Sequence, residues 1–210
     1  MNNQFICISE RFIGYAEQAN KLFLQKEFTR ALFVYMEILQ TFGETADLAA
    51  RISLCHSYAG LWESKKDFVD DQYKAIEWIK KAIELEPDNP IFYAQLAQLY
   101  WHLSDYQQML ILYRKALELE PNCLAALKGA IFLWNTPDDV IDLHEAIRWL
   151  EHAITIDPAD SVLAYWLGVL YMESGEKNSA ERIWLKAMMN LDSSEENITK
   201  NMLDYLKGQE

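Results

Sequence analysis

Three cysteines, four histidines and a few adjacent acid pairs are the residues of this 210-residue chain whose chemistry could go beyond packing. A metal centre needs ligands that converge, and a hydrolase needs a nucleophile beside a base. His144 and His152 stand eight residues apart on one predicted helix, too far to share an ion, and "HEAIR" at 144 to 148 lacks the second histidine of HExxH. His56 and His102 lie in other segments. Cys7, Cys55 and Cys123 are odd in number, widely spaced and without a CxxC, so neither a disulfide framework nor a zinc site is indicated, and a reducing compartment fits. No glycine-rich phosphate loop and no GxSxG occur. Asp70/Asp71 and Asp138/Asp139 read as first-turn acids that complement a helix dipole, with Thr136-Pro137-Asp138-Asp139 as cap, first-turn proline and acids. The expectation is a non-catalytic protein with no cofactor and no metal.

The elements that carry these residues are predicted to be helices. Hydrophobic residues make up 51% of the chain and aromatics 13%, enough to bury a substantial core. With only 7 Gly and 5 Pro among abundant Ala, Leu, Glu and Lys, the class is all-α. Nineteen basic against 32 acidic side chains leave a formal charge of −13, which repels polyphosphates and anionic headgroups. No Lys/Arg block gathers charge locally, so neither nucleic acid nor a membrane is expected as a partner. The N-terminus lacks a signal-like apolar core and no run of about 18 apolar residues occurs, so, taking Met1 as the native start, the expected location is cytoplasmic.

A repeat organises the chain. Pro87, Pro121 and Pro158 are spaced by 34 and 37 residues; Ala82, Ala116 and Ala153 stand five residues before them, and Ala187 follows 34 residues later. Trp78, Tyr113, Leu150 and Trp184 occupy the preceding helical turn, a bulky-then-small pattern that marks a closely approached helix face. Upstream, "YAQLAQLYW" (93 to 101) aligns with "AYWLGVLYM" (164 to 172), placing Leu96, Ala97 and Tyr100 over Leu167, Gly168 and Tyr171. In "EPDNP" (86 to 90) two prolines exclude a helix interior, where each would cost about 3 kcal/mol. Asn89 is therefore expected to cap a new helix, with Pro90 at its first position.

This pattern resembles the tetratricopeptide repeat, a 34-residue helix-turn-helix with L-G-x2-Y followed by A-x3-F, A and P. The resemblance covers roughly residues 12 to 194 and implies a right-handed superhelical solenoid. Five repeats fall at 12–45, 46–89, 90–123, 124–160 and 161–194, after an N-terminal cap segment at 1–11 and before a C-terminal capping helix at 195–210. That last helix is expected from the capping-box spacing of Ser193 and Glu196 and from the stripe of Ile198, Met202 and Leu206. Phe5, Ile6 and Ile8 in the first segment suit either covering the first repeat or binding a second copy. The second repeat carries about eight extra residues around 60–71, read as longer helices or as a protruding loop; a second docking surface or homodimer contact there is the sharper alternative.

In proteins of this family the partner lies in a concave groove lined by the first helix of each repeat. The resemblance places that lining at Ala16 and Asn20, Ile52 and His56, Ala94, Gln98 and Trp101, Lys128, Phe132 and Asn135, and Tyr165, Val169 and Met172. From these, Asn20, His56, Gln98, Trp101, Lys128, Phe132, Tyr165 and Val169 are taken as peptide-binding residues. Only Lys128 among them is charged, which does not complete the basic set used by relatives that clamp chaperone tails. The aromatic run of Trp101, Phe132 and Tyr165 suits an apolar peptide segment with some positive charge. The expected function is an adaptor, scaffold or chaperone-like module for another protein, with a self-associating homo-oligomeric subunit as the alternative.

Overall fold

Every regular element among the described residues is an α-helix, in line with the composition. The computed structural model describes residues 2–63, 68–137 and 140–189 together with Lys200 and Met202, and side chains from Phe12 onward. Contacts divide it into two compact units, residues 1–105 and 106–210.

The first unit holds α1 (Asn2–Leu24), α2 (Phe28–Phe42), α3 (Ala46–Trp62), α4 (Phe68–Leu85) and α5 (Pro90–His102). Helix α1 begins at Asn2, so the segment expected as a separate cap continues into the first repeat helix; the side chains of Phe5, Ile6 and Ile8 lie outside the described residues. Within this unit α1 packs on α2, α2 on α3, α3 on α4 and α4 on α5, as short links between helices require. Ala19 and Leu22 of α1, Ala31, Val34, Tyr35 and Ile38 of α2, and Leu48, Ile52 and Cys55 of α3 form one buried cluster. Their three- and four-residue spacing gives each helix a single apolar stripe.

The links close as elementary capping predicts. The Thr45 side chain accepts from the Leu48 N–H at 3.2 Å, and the Asn89 carboxamide accepts from the Ile91 N–H at 3.2 Å, with Pro90 opening α5. Gly43, standing where later repeats have proline, takes φ +92°, a conformation that suits glycine.

Extra residues in the second repeat lengthen both of its helices, to 17 residues in α3 and 18 in α4 against 13 in α5. The two meet along a buried polar seam. Ser53 Oγ donates to the Ala75 carbonyl at 2.7 Å, Ser57 Oγ donates to Gln72 Oε1 at 3.1 Å, and Gln72 Nε2 donates to the Ser57 carbonyl at 3.0 Å. Beyond α3, Glu63 reaches back to the first hairpin. Its Oε1 accepts from the Phe28 N–H at 2.7 Å and its Oε2 from the Thr29 N–H at 3.0 Å, with a further bond from the Thr29 hydroxyl. A carboxylate therefore sits on the free N–H groups that open α2, where the helix dipole favours it.

The second unit holds α6 (Tyr106–Leu119), α7 (Leu124–Leu127), α8 (Gly129–Trp134), α9 (Leu143–Ile156), α10 (Ser161–Glu173) and α11 (Lys177–Met188). Helices α7 and α8 meet at Lys128, whose N–H is shared by the Leu124 and Ala126 carbonyls, so the stretch expected as one helix is interrupted there. At that break the Tyr113 ring presses on Gly129, where a Cβ would fall 2.5 Å from Tyr113 Cε2. Helix α9 starts later than expected. Its N-cap is Asp142, which accepts from the Glu145 N–H at 3.1 Å, while Thr136 donates its hydroxyl to the Leu133 carbonyl at 2.8 Å and so closes α8 instead of opening α9. Asp138 and Asp139 lie outside the described residues.

The bulky-then-small positions are core. Ala116, Ala153, Tyr113, Leu150 and Trp184 are fully buried in this unit, as is Ala82 in the first, whereas Trp78 and Ala187 are half-buried. Met202 is buried; the rest of the expected C-terminal capping helix, save Lys200, lies outside the described residues.

Candidate functional site

First-helix positions of the first unit differ sharply in how much of each side chain a partner could reach. Asn20 on α1 is half-buried, and its Oδ1 accepts twice, from the Tyr35 hydroxyl at 2.7 Å and from Arg51 Nη1 at 2.9 Å. Arg51 in turn donates from Nε to Asp47 Oδ2 at 2.7 Å, one helical turn back on α3. Burial raises the Tyr35 phenol above its ordinary value, with the Arg51 guanidinium opposing; the bond to Asp47 raises the Arg51 pKa. Together with Phe12, Ala16, Ile38, Thr45 and Leu48 these residues line a cavity of about 110 Å³ among α1, α2 and α3.

Elsewhere on α3, Ile52 is fully buried and His56 turns toward α4, with Nδ1 3.9 Å from Asp71 Oδ1. Burial pushes His56 below the ordinary histidine range; the Asp71 carboxylate acts in the opposite direction, and Lys74 adds to the lowering. On α5, Gln98 is exposed and Trp101 half-buried, and Gln95 donates to the Ala50 carbonyl at 3.1 Å. His102 meets the Phe68 ring edge-on at 6.1 Å, and burial lowers its pKa as well.

In the second unit Phe132 on α8 is 41% exposed, Tyr165 on α10 is half-buried, and Val169 is buried. Tyr165 meets Trp166 edge-on at 5.4 Å, and its carbonyl accepts from Trp184 Nε1 at 3.0 Å. Lys128 is bonded through Nζ to Asp160, the N-cap of α10, whose Oδ1 also accepts from the Val162 and Leu163 N–H groups at 2.9 and 3.0 Å. Burial works against the Asp160 charge, but these donors outweigh it and hold the carboxyl below its ordinary value. The one cation among the expected binding residues thus ties the α7–α8 junction to the N-terminus of α10.

Sequence reasoning missed Arg51 and Asp47, as well as the inward role of Tyr35. The Asp47/Arg51 spacing of four was a visible signal for an ion pair. Their meeting with Asn20 depends on how α1 packs on α3, which spacing does not express. Among the described residues no group of three or more His, Cys, Asp or Glu could hold a metal ion, and no helix is long and apolar enough to cross a membrane.

Residues 91–123 match the tetratricopeptide repeat family model, a span that takes in nearly all of α5 and the whole of α6. No curated protein matches the chain. Solved structures do. A crystal structure of MamA is 17% identical over 82% of this chain and 93% of its own, with a TM-score of 0.61. MamA 41-end from Desulfovibrio magneticus RS-1 is 13% identical over 85% and 94%, with a TM-score of 0.63. YrrB, described as a TPR protein with an unusual peptide-binding site, is 19% identical over 90% of each chain, with a TM-score of 0.59. The chain carries a tetratricopeptide repeat, and its all-α fold is that of tetratricopeptide-repeat solenoids.

Proposed function

We propose that this chain is a non-catalytic interaction module, an adaptor, scaffold or chaperone-like protein that holds a peptide segment of a partner against the first-helix faces of its repeats. The observation that carries this reading is the state of those faces. In the second unit Phe132 is 41% exposed and Tyr165 half-buried, with Lys128 already held by Asp160, and in the first unit Trp101 is half-buried. Aromatics of this kind are each worth about 2 kcal/mol or more when a partner desolvates them. With the cation spent internally and a chain charge of −13, the fitting segment is apolar with some positive charge. The fold shared with YrrB, described as having a peptide-binding site, supports the same reading.

The test is binding to an immobilised library of fifteen-residue peptides that vary apolar content and charge. The triple variant Trp101→Ala, Phe132→Ala, Tyr165→Ala should lose the apolar-basic peptides while keeping its helix content and melting temperature. Equal binding by the triple variant would refute the assignment. Self-association is the second reading, favoured by Trp62, which is 68% exposed at the end of α3. Light scattering over a concentration series tests it, and a strict monomer throughout rejects it.

A further inference from the structure

We propose that the cavity among α1, α2 and α3 receives a primary carboxamide, the side chain of a glutamine presented by a bound peptide. This assignment rests on the peptide-holding reading above and names one residue of the peptide.

The argument begins with hydrogen-bond capacity. Both bonds to Asn20 Oδ1, from the Tyr35 hydroxyl and Arg51 Nη1, fill the acceptor side of that amide and fix which way it faces. Its Nδ2 group carries two donors and has no hydrogen-bond partner among the described residues. Arg51 spends Nε on Asp47 and Nη1 on Asn20 and also lies against the Tyr35 hydroxyl, and of its five N–H donors some remain to offer. Asp47 spends Oδ2 on Arg51 and keeps Oδ1 as an acceptor, with its side chain 74% exposed at the rim. The cavity therefore offers donors from Asn20 and Arg51 and an acceptor from Asp47.

Charge then selects among ligands. A carboxylate would gain from Arg51 but meet the Asp47 charge, and an ammonium would gain from Asp47 but meet Arg51. A neutral carboxamide, with one acceptor oxygen and a donor NH2, satisfies both without either penalty. The apolar wall of Phe12, Ile38 and Leu48 suits the two methylenes of glutamine. At about 110 Å³ the cavity is several times the ~10–15 Å³ that one water requires, and so has room for more than a single solvent molecule.

The test uses the full-length, 15N-labelled protein and three blocked amino acids: acetyl-glutamine N-methylamide, acetyl-glutamate N-methylamide and acetyl-leucine N-methylamide. The glutamine compound should give saturable shifts of the Asn20 side-chain NH2 and the Arg51 Nε–H, binding about fivefold more tightly than the glutamate compound. Matching shifts from the leucine compound would mean that the cavity reads a backbone amide, and would overturn the proposal. So would tighter binding of the glutamate compound, or no shift from the glutamine compound up to its solubility limit. Asp47→Asn removes an exposed rim charge without touching the Thr45 cap, and should swing the preference toward the glutamate compound; an unchanged preference overturns the charge argument. If the glutamine compound fails while the aromatic triple variant still loses its peptides, the cavity assignment falls and the peptide-holding reading stands.

Discussion

The indole of Trp184 lies so close to Gly168 that a Cβ on the glycine would fall 2.0 Å from Nε1, the same atom that donates to the Tyr165 carbonyl at 3.0 Å. The small residue of one repeat helix and the large residue of the next thus form a single joint between α10 and α11. Gly168→Ala must displace a fully buried ring, and overpacking of this kind costs about 1–3 kcal/mol. Urea unfolding followed by circular dichroism should show that loss, and a midpoint equal to wild type would show that the joint is loose.

Glu63 should matter more than an exposed acid usually does, because it serves two backbone N–H groups at the start of α2. Glu63→Ala is expected to cost about 1–2 kcal/mol, in the range of a lost helix cap, and Glu63→Gln, which keeps one acceptor oxygen, about half that. Chemical denaturation of the three proteins in parallel gives the ordering, and an alanine variant as stable as wild type removes the cap from the account.

Asp160 supplies a pH dependence of known sign. Its folded pKa is depressed, so its contribution is present above the unfolded value of about 3.9 and is lost as pH falls through the still lower folded value. Asp160→Asn keeps an N-cap acceptor but removes the charge held by Lys128. Its stability deficit relative to wild type should be largest near neutrality and shrink in the acid limb. A deficit constant from pH 7 to pH 2 would contradict the linkage.

His56 and His102 act at milder acidity. Both have folded pKa values lowered by burial, so below the unfolded value of about 6.5 the unfolded chain binds more protons and stability falls as pH drops toward the folded values. The double variant His56→Gln, His102→Gln should flatten the stability profile between pH 6.5 and 5, measured as melting temperature against pH. A profile as steep as wild type would place the protons elsewhere.

Cys55 should be chemically silent while the first hairpins are folded. Burial pushes its thiol up to about 12, with the Glu63 charge adding to the shift, so almost no thiolate exists at pH 8. Iodoacetamide should modify it only on addition of denaturant, as read from its tryptic peptide by mass spectrometry. Rapid labelling under native conditions would mean that α3 opens locally.

The repeat could be read from the sequence because its signals are local. Pro87, Asn89 and Pro90 state where one helix ends and the next starts, and the alanine-after-aromatic pattern states which face is approached. The cavity at Asn20 could not be read that way, since it needs the rotation of α3 about its own axis. A shift of one residue turns a helical position by about 100°, and that is the difference between Ile52, which is fully buried, and Arg51, which lines the cavity. Val169 shows the same limit on α10, where it is buried, 7% exposed. The interruption at Lys128 and the late start of α9 were hidden for a different reason. Thr136 has the chemistry of an N-cap, yet its hydroxyl is taken by the Leu133 carbonyl behind it.

The seam of Ser53, Ser57 and Gln72 bears on a hazard particular to chains made of look-alike hairpins. During folding, a helix meets several siblings with nearly interchangeable greasy stripes, and a wrong match loses little. Gln72 changes that choice, because in any other marriage or at any other offset its amide would be entombed without the Ser57 groups that answer it. Those three side chains work as a lock and key that tells α4 which sibling is its own.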